Sequence, residues 1–133
     1  MDIEGRVRAL PLFDGLSDEQ VHTVGKLAES REVGEGTTLA GEGAHGYFFF
    51  VIEEGAADVV QDGVTIGRLG PGDFFGEIAI LDPSGWRTAS VVAAEQMRVL
   101  AFFGADFHAI DAVAPEVGER VRGAMRDRLE TTA

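Results

Sequence analysis

The stretch ADVVQDGVTIGRL, residues 57–69, sets two short β-type runs on either side of an Asp-Gly pair. Asp62-Gly63 is a two-residue hairpin signal, so residues 57–61 and 64–69 are expected to fold back on one another as antiparallel strands. The same texture extends outward in both directions. Gly34, Gly36, Gly41, Gly43, Gly46, Gly55, Gly67, Gly70, Gly72 and Gly76 punctuate the neighbouring sequence, and further β-type runs lie at residues 46–52, 88–92 and 97–102. Strands this short at near-regular spacing predict a compact sandwich, roll or barrel.

The flanks change period. Ser17-Asp18-Glu19-Gln20 has the form of a capping box, with Ser17 at the N-cap and Gln20 at N3. Val21, Val24 and Ala28 then recur at helical spacing, and Leu10, Leu12, Phe13 and Leu16 form an apolar lead-in beneath that helix. After the β zone, Phe107 and Ile110 are helically spaced. Val113-Ala114-Pro115 interrupts them, with Pro115 suited to the first turn of a second helix reaching about Leu129. Val117, Val121 and Met125 line one side of it. The expected fold is therefore mainly β with flanking α. A β-roll of about eight strands spans residues 31–103, with helical segments at 1–30 and a hinged helix pair at 104–130, all in one domain of residues 1–133.

Composition narrows the function. The chain has 133 residues, 45% of them hydrophobic, enough for one core. It has no cysteine, so disulfides, thiolate metal sites and a cysteine nucleophile are excluded. Acidic residues number 23 against 11 basic, a net charge of −12 that repels nucleic acids and anionic membrane surfaces. No apolar run is long enough to span a bilayer, and Met1-Asp2-Ile3-Glu4 is no signal peptide. The chain is read as soluble and cytoplasmic, with neither nucleic acid nor membrane as a partner.

One segment carries chemistry: LGPGDFFGEIAILDPSGWRTAS, residues 69–90. Glycines at 70, 72 and 76 lead into a short apolar run, residues 77–81, whose first N–H groups suit an anion. Arg87 then supplies a planar donor matched to phosphate, and Thr88 and Ser90 add hydroxyls. Glu77 beside an anion site is repulsive unless something between them needs an acceptor. A sugar hydroxyl does. A carboxylate for ribose and an arginine for phosphate together describe a nucleotide whose sugar and phosphate are held close.

This segment resembles the phosphate-binding cassette of the cyclic-nucleotide-binding domain family, of the catabolite activator protein and protein kinase A regulatory subunit type. The likeness is strongest over Phe75-Gly76-Glu77-Ile78-Ala79-Ile80-Leu81 and Arg87-Thr88-Ala89-Ser90. The resemblance implies that Glu77 accepts from the ribose 2′-hydroxyl and that Arg87 pairs with the cyclic phosphate. Backbone N–H groups of Ile78, Ala79 and Ala89 would assist, and Gly76 would let the backbone approach the sugar. Thr88 stands where members of either base preference carry threonine, so it does not choose the base; cAMP is preferred because it is the common ligand of the family, with cGMP the alternative. Five residues separate Leu81 from Arg87, a length like that of the bacterial activator, with Trp86 where the kinase subunits have proline. The last helix offers no aromatic cap for the base, only Arg122, Met125, Arg126 and Leu129 as a lid.

The expected function is thus a cyclic-nucleotide sensor that couples binding to movement of its C-terminal helices, with no catalytic residues, cofactor or metal. His22, His45 and His108 lack metal-ligand spacing, which counts against a cupin-type enzyme. The alternative is a ligand-independent interaction domain with a degenerate pocket. An effector domain or protein partner, and a homodimer, stay open.

Overall fold

The computed structural model describes residues 2–40, 48–76 and 89–132, and the backbone alone for residue 40 and residues 128–132. It forms two units, residues 29–104 and residues 1–28 with 105–133.

Among the described residues the first unit has eight strands: β1 (Glu29–Val33), β2 (Thr38–Ala40), β3 (Phe48–Glu54), β4 (Ala57–Gln61), β5 (Val64–Leu69), β6 (Phe74–Phe75), β7 (Ser90–Ala93) and β8 (Met97–Phe103). They make two four-stranded sheets, ordered β1-β8-β3-β6 and β2-β7-β4-β5, and the paired strands are antiparallel. The fold is a mainly antiparallel β-roll with flanking helices. Alternate side chains of both sheets meet in one core that includes Phe50, Ile52, Val99 and Ala101 from the first and Ala57, Val91 and Ala93 from the second. Full burial of a side chain such as Ile52 contributes about 1.5–3 kcal/mol. The intervening residues Phe49, Val51, Leu100 and Phe102 are buried as well. The central pair β3–β8 is thus covered on both faces, which is why FFFVI reads as a continuous apolar run rather than an alternating one.

The β4–β5 hairpin stands where the sequence places it. Asp62 and Gly63 take φ of 53° and 77°, the left-handed pair that a tight hairpin turn needs. Other boundaries shift. β3 runs to Glu54 and β7 to Ala93, while Gly46, Tyr47 and Thr88 lie outside the described residues. The segment read as helical to residue 30 ends earlier, because α2 stops at Leu27 and β1 begins at Glu29. Ala28 is extended (φ −80°, ψ 136°) and so leaves the apolar face assigned to it. Gly25 takes its place there: it is buried, and a Cβ on it would sit 3.3 Å from Glu4 and 3.6 Å from Ile3 of α1.

The second unit comprises α1 (Ile3–Arg8), a 3-10 turn (Pro11–Phe13), α2 (Asp18–Leu27), α3 (Phe107–Val113) and α4 (Pro115–Thr132). Ser17 caps α2 reciprocally: its Oγ accepts from the Gln20 N–H at 3.2 Å, and Gln20 Oε1 accepts from the Ser17 N–H at 2.8 Å. Leu10, Leu12, Phe13 and Leu16 are buried. Pro115 opens α4, and α3 ends before it because a residue preceding proline is pushed out of helical backbone. Ala114 accordingly has φ −133° and ψ 76°. Among the described residues no helix is long and apolar enough to cross a membrane.

Candidate functional site

The structure shows how the cassette is entered and left. Gly70-Pro71-Gly72-Asp73 is a tight turn with proline at its second position and glycine, φ +90°, at its third. Asp73 N–H donates to the Gly70 carbonyl at 3.0 Å, and Asp73 Oδ2 accepts from the Gly70 N–H at 2.8 Å. The turn is tied to β3 from both sides. Gly72 N–H donates to the Ile52 carbonyl and Ile52 N–H donates to the Asp73 carbonyl, each at 2.8 Å. It delivers the chain into β6, where Phe75 pairs with Phe50 in register and stacks on its ring at a 5.0 Å centroid distance.

Gly76 follows with φ +99°, and a Cβ there would lie 2.5 Å from the Phe48 carbonyl oxygen. The close backbone approach that the structure records at Gly76 is therefore to β3. At the other end Ala89 is half-buried and leads into β7, where Ser90 pairs with Val60 of β4. Residues 77–88 thus connect β6 of one sheet to β7 of the other. Glu77, Ile78, Ala79, Arg87 and Thr88 belong to that connection and lie outside the described residues.

Charge within the roll is distributed tellingly. Residues 29–104 contain four arginines, Arg31, Arg68, Arg87 and Arg98, and no lysine. Arg31 lies 3.3 Å from Glu29 and stands over the Phe48 ring at 4.3 Å, Arg68 lies 3.3 Å from Asp58, and Arg98 is 3.6 Å from Glu32 and 3.5 Å from Glu54. Each of these three cations already has a carboxylate partner. The Phe48-Phe49-Phe50 run is strand core, with Phe49 and Phe50 buried.

The lid candidates are dispersed along α4. Arg122 pairs with Asp111 of α3 and lies 3.9 Å from Glu119. The hydrogen bond it donates to Asp111 holds its guanidinium above the ordinary arginine range, against partial desolvation, and the charges of Asp111 and Glu119 act in the same direction as the bond. Met125 is half-buried, Arg126 is exposed, and the Leu129 side chain is outside the described set. Sequence reasoning missed Asp73 as the turn's side-chain acceptor and Asp111 as the partner of Arg122. The Pro-Gly pair was a signal for the first; nothing local signals the second.

Comparison with known proteins gives this geometry a family. Residues 30–112 match the cyclic nucleotide-binding domain. A cyclic nucleotide-gated potassium channel of Rhizobium etli is 32% identical over 124 residues, covering 92% of this chain and 34% of the channel. The crystal structure of the Thermus thermophilus catabolite activator protein superposes with TM-score 0.79 at 31% identity, covering 92% of this chain and 59% of that one. The regulatory domain of Toxoplasma gondii protein kinase A, crystallised with cAMP, superposes with TM-score 0.70 at 27% identity, over 85% of this chain and 45% of that one. The chain thus spans from about a third to three fifths of the length of these relatives. On the match over residues 30–112, this chain belongs to the cyclic nucleotide-binding domain family.

Proposed function

We propose that residues 1–133 act as one regulatory domain that binds cAMP reversibly, with cGMP as the weaker ligand, and that performs no catalysis itself. The observation that carries this reading is the occurrence of Glu77 and Arg87 in one stretch of sequence, between Gly76 and Ala89, within the matched residues 30–112. Glu77 accepts from the ribose 2′-hydroxyl, and Arg87 pairs with the cyclic phosphate alongside backbone N–H groups of Ile78, Ala79 and Ala89. Thr88 adds a hydroxyl beside the phosphate. A phosphate entering a chain of net charge −12 requires a local cation.

The output is movement of the C-terminal helices, with Met125, Arg126 and Leu129 as the candidate cover for the base, Arg122 being engaged by Asp111, and with an effector domain or protein partner as its recipient. Binding shifts the population toward whichever arrangement adds contacts to the nucleotide. The domain works in the cytoplasm, where cyclic nucleotides are made. Isothermal titration of the purified chain with cAMP and cGMP tests the reading. Saturable one-site heat with cAMP is expected, and the absence of binding by both nucleotides overturns it in favour of a ligand-independent interaction domain.

A further inference from the structure

Three polar contacts tie the first two turns of α4 to the rest of its own unit. Gln20 Nε2 donates to the Val113 carbonyl at 3.1 Å and to Glu116 Oε1 at 3.2 Å, so the residue that completes the α2 capping box also bridges the break between α3 and α4. Arg120 donates to the Leu12 carbonyl at 2.8 Å. Arg122 pairs with Asp111. This last contact depends on a gap in the sequence: a Cβ at Gly118 would overlap the Asp111 carboxylate. The missing side chain lets the carboxylate lie against α4 and meet Arg122 one turn further on.

Burial along α4 changes at the same place. On the packed face Val117 and Val121 are 1% and 0% exposed, whereas Met125, one turn on, is half-buried; the polar face is exposed throughout, at Glu116, Glu119 and Arg120 as at Arg126 and Asp127. Between the two regimes stands Gly123. Unlike Gly118 it answers no steric demand, because a Cβ there would meet nothing closer than Arg126 at 3.9 Å. A glycine inside a helix without a packing reason leaves the backbone easier to bend or unwind at that point.

We propose that α4 works as two segments joined at Gly123. Residues 115–122 are a fixed extension of the helical unit, clamped by Asp111 through the Gly118 gap, and residues 123–132 are the part that moves. Asp111 is then a positioning residue that acts through Arg122, and Arg122 serves the clamp rather than the nucleotide base. The flexible point lies about two turns beyond the Pro115 break that the sequence marks. The link to ligand rests on the cyclic-nucleotide reading; the division of the helix does not.

Hydrogen exchange on the full chain, read by mass spectrometry, tests both parts. Without nucleotide, amides of residues 117–122 should exchange about tenfold more slowly than those of 124–130. Gly123→Ala should carry protection across the junction, slowing residues 124–128 about fivefold, the helix-propensity difference between the two residues expressed as an opening equilibrium. Asp111→Asn should accelerate residues 117–122 and leave β4 unchanged, and Gly118→Ala, which displaces the same carboxylate, should reproduce it. Saturating cAMP should slow 124–130 and leave 117–122 within about twofold. Uniform exchange from 117 to 130 without nucleotide overturns the two-segment helix, as does an unchanged profile in both Asp111→Asn and Gly118→Ala. Protection by cAMP that spreads evenly from residue 117 overturns the assignment of the moving part. A chain that fails to bind cAMP in the titration defeats the ligand reading alone, and the nucleotide-free exchange still decides the role of Gly123.

Discussion

Alanine at Gly76 would meet two objections at once: a φ of +99° and a carbonyl oxygen 2.5 Å from its Cβ. The expected cost of Gly76→Ala is about 2–4 kcal/mol, measured as a fall in the urea midpoint. Arg87→Ala should behave in the opposite way. If Arg87 serves the phosphate as proposed, the substitution should leave the urea midpoint in place while weakening cAMP binding by about 2–5 kcal/mol, because a desolvated phosphate would lose its partner. On the proposed ribose contact, Glu77→Gln would exchange a charge-assisted bond for a neutral one, a smaller loss of about 1–2 kcal/mol, and should erase discrimination against 2′-deoxy-cAMP in the same titration. A wild type that binds the deoxy analogue as tightly as cAMP would rule out the ribose role of Glu77. The proposed roles of Glu77 and Arg87 come from the sequence alone, where carboxylate, guanidinium and glycines lie within one short stretch, and both residues are outside the described ones. The reason for Gly76 was not legible, because Phe48 lies on a strand remote in sequence that only the fold brings alongside.

Among the elements, those announced by their ends were readable. The α2 cap, the Asp62-Gly63 turn and the Pro115 start of α4 each depend on side-chain chemistry within a few residues. Ser17→Ala should cost about 1 kcal/mol, seen as a lower thermal midpoint. Gln20→Ala should cost more than Ser17→Ala, since Gln20 also donates to Val113 and Glu116, and equal losses would mean that the bridge to α4 contributes nothing. Three strands escaped notice for a physical reason. β1 is ESREV, with three charges in five residues, and β2 and β6 are three and two residues long, too short to show a period. Their strand character comes from partners, β8 for β1, β7 for β2 and β3 for β6, and a propensity argument does not contain partners.

For the molecule as a whole, a ligand that binds only the folded state adds stability by mass action. At a hundredfold excess over its Kd, cAMP should raise unfolding stability by about 2.7 kcal/mol, with a thermal midpoint that climbs with nucleotide concentration and climbs much less in Arg87→Ala. The three zones of helix, strand and helix were legible from periodicity. That the two outer zones belong to one unit was not, since period reports each helix singly and says nothing of what it packs against. The same arrangement governs the order in which the chain can fold during synthesis. β1 pairs with β8 and β2 with β7, so the earliest strands wait for the last ones, and Gln20 waits longer still for Val113 and Glu116. The β4–β5 hairpin, by contrast, has both its strands as soon as residue 69 is made. A nascent chain therefore carries β1 and β2 without their partner strands until residues 90–103 are made, while α1 and α2 can already pack on one another, and the roll closes in a late step.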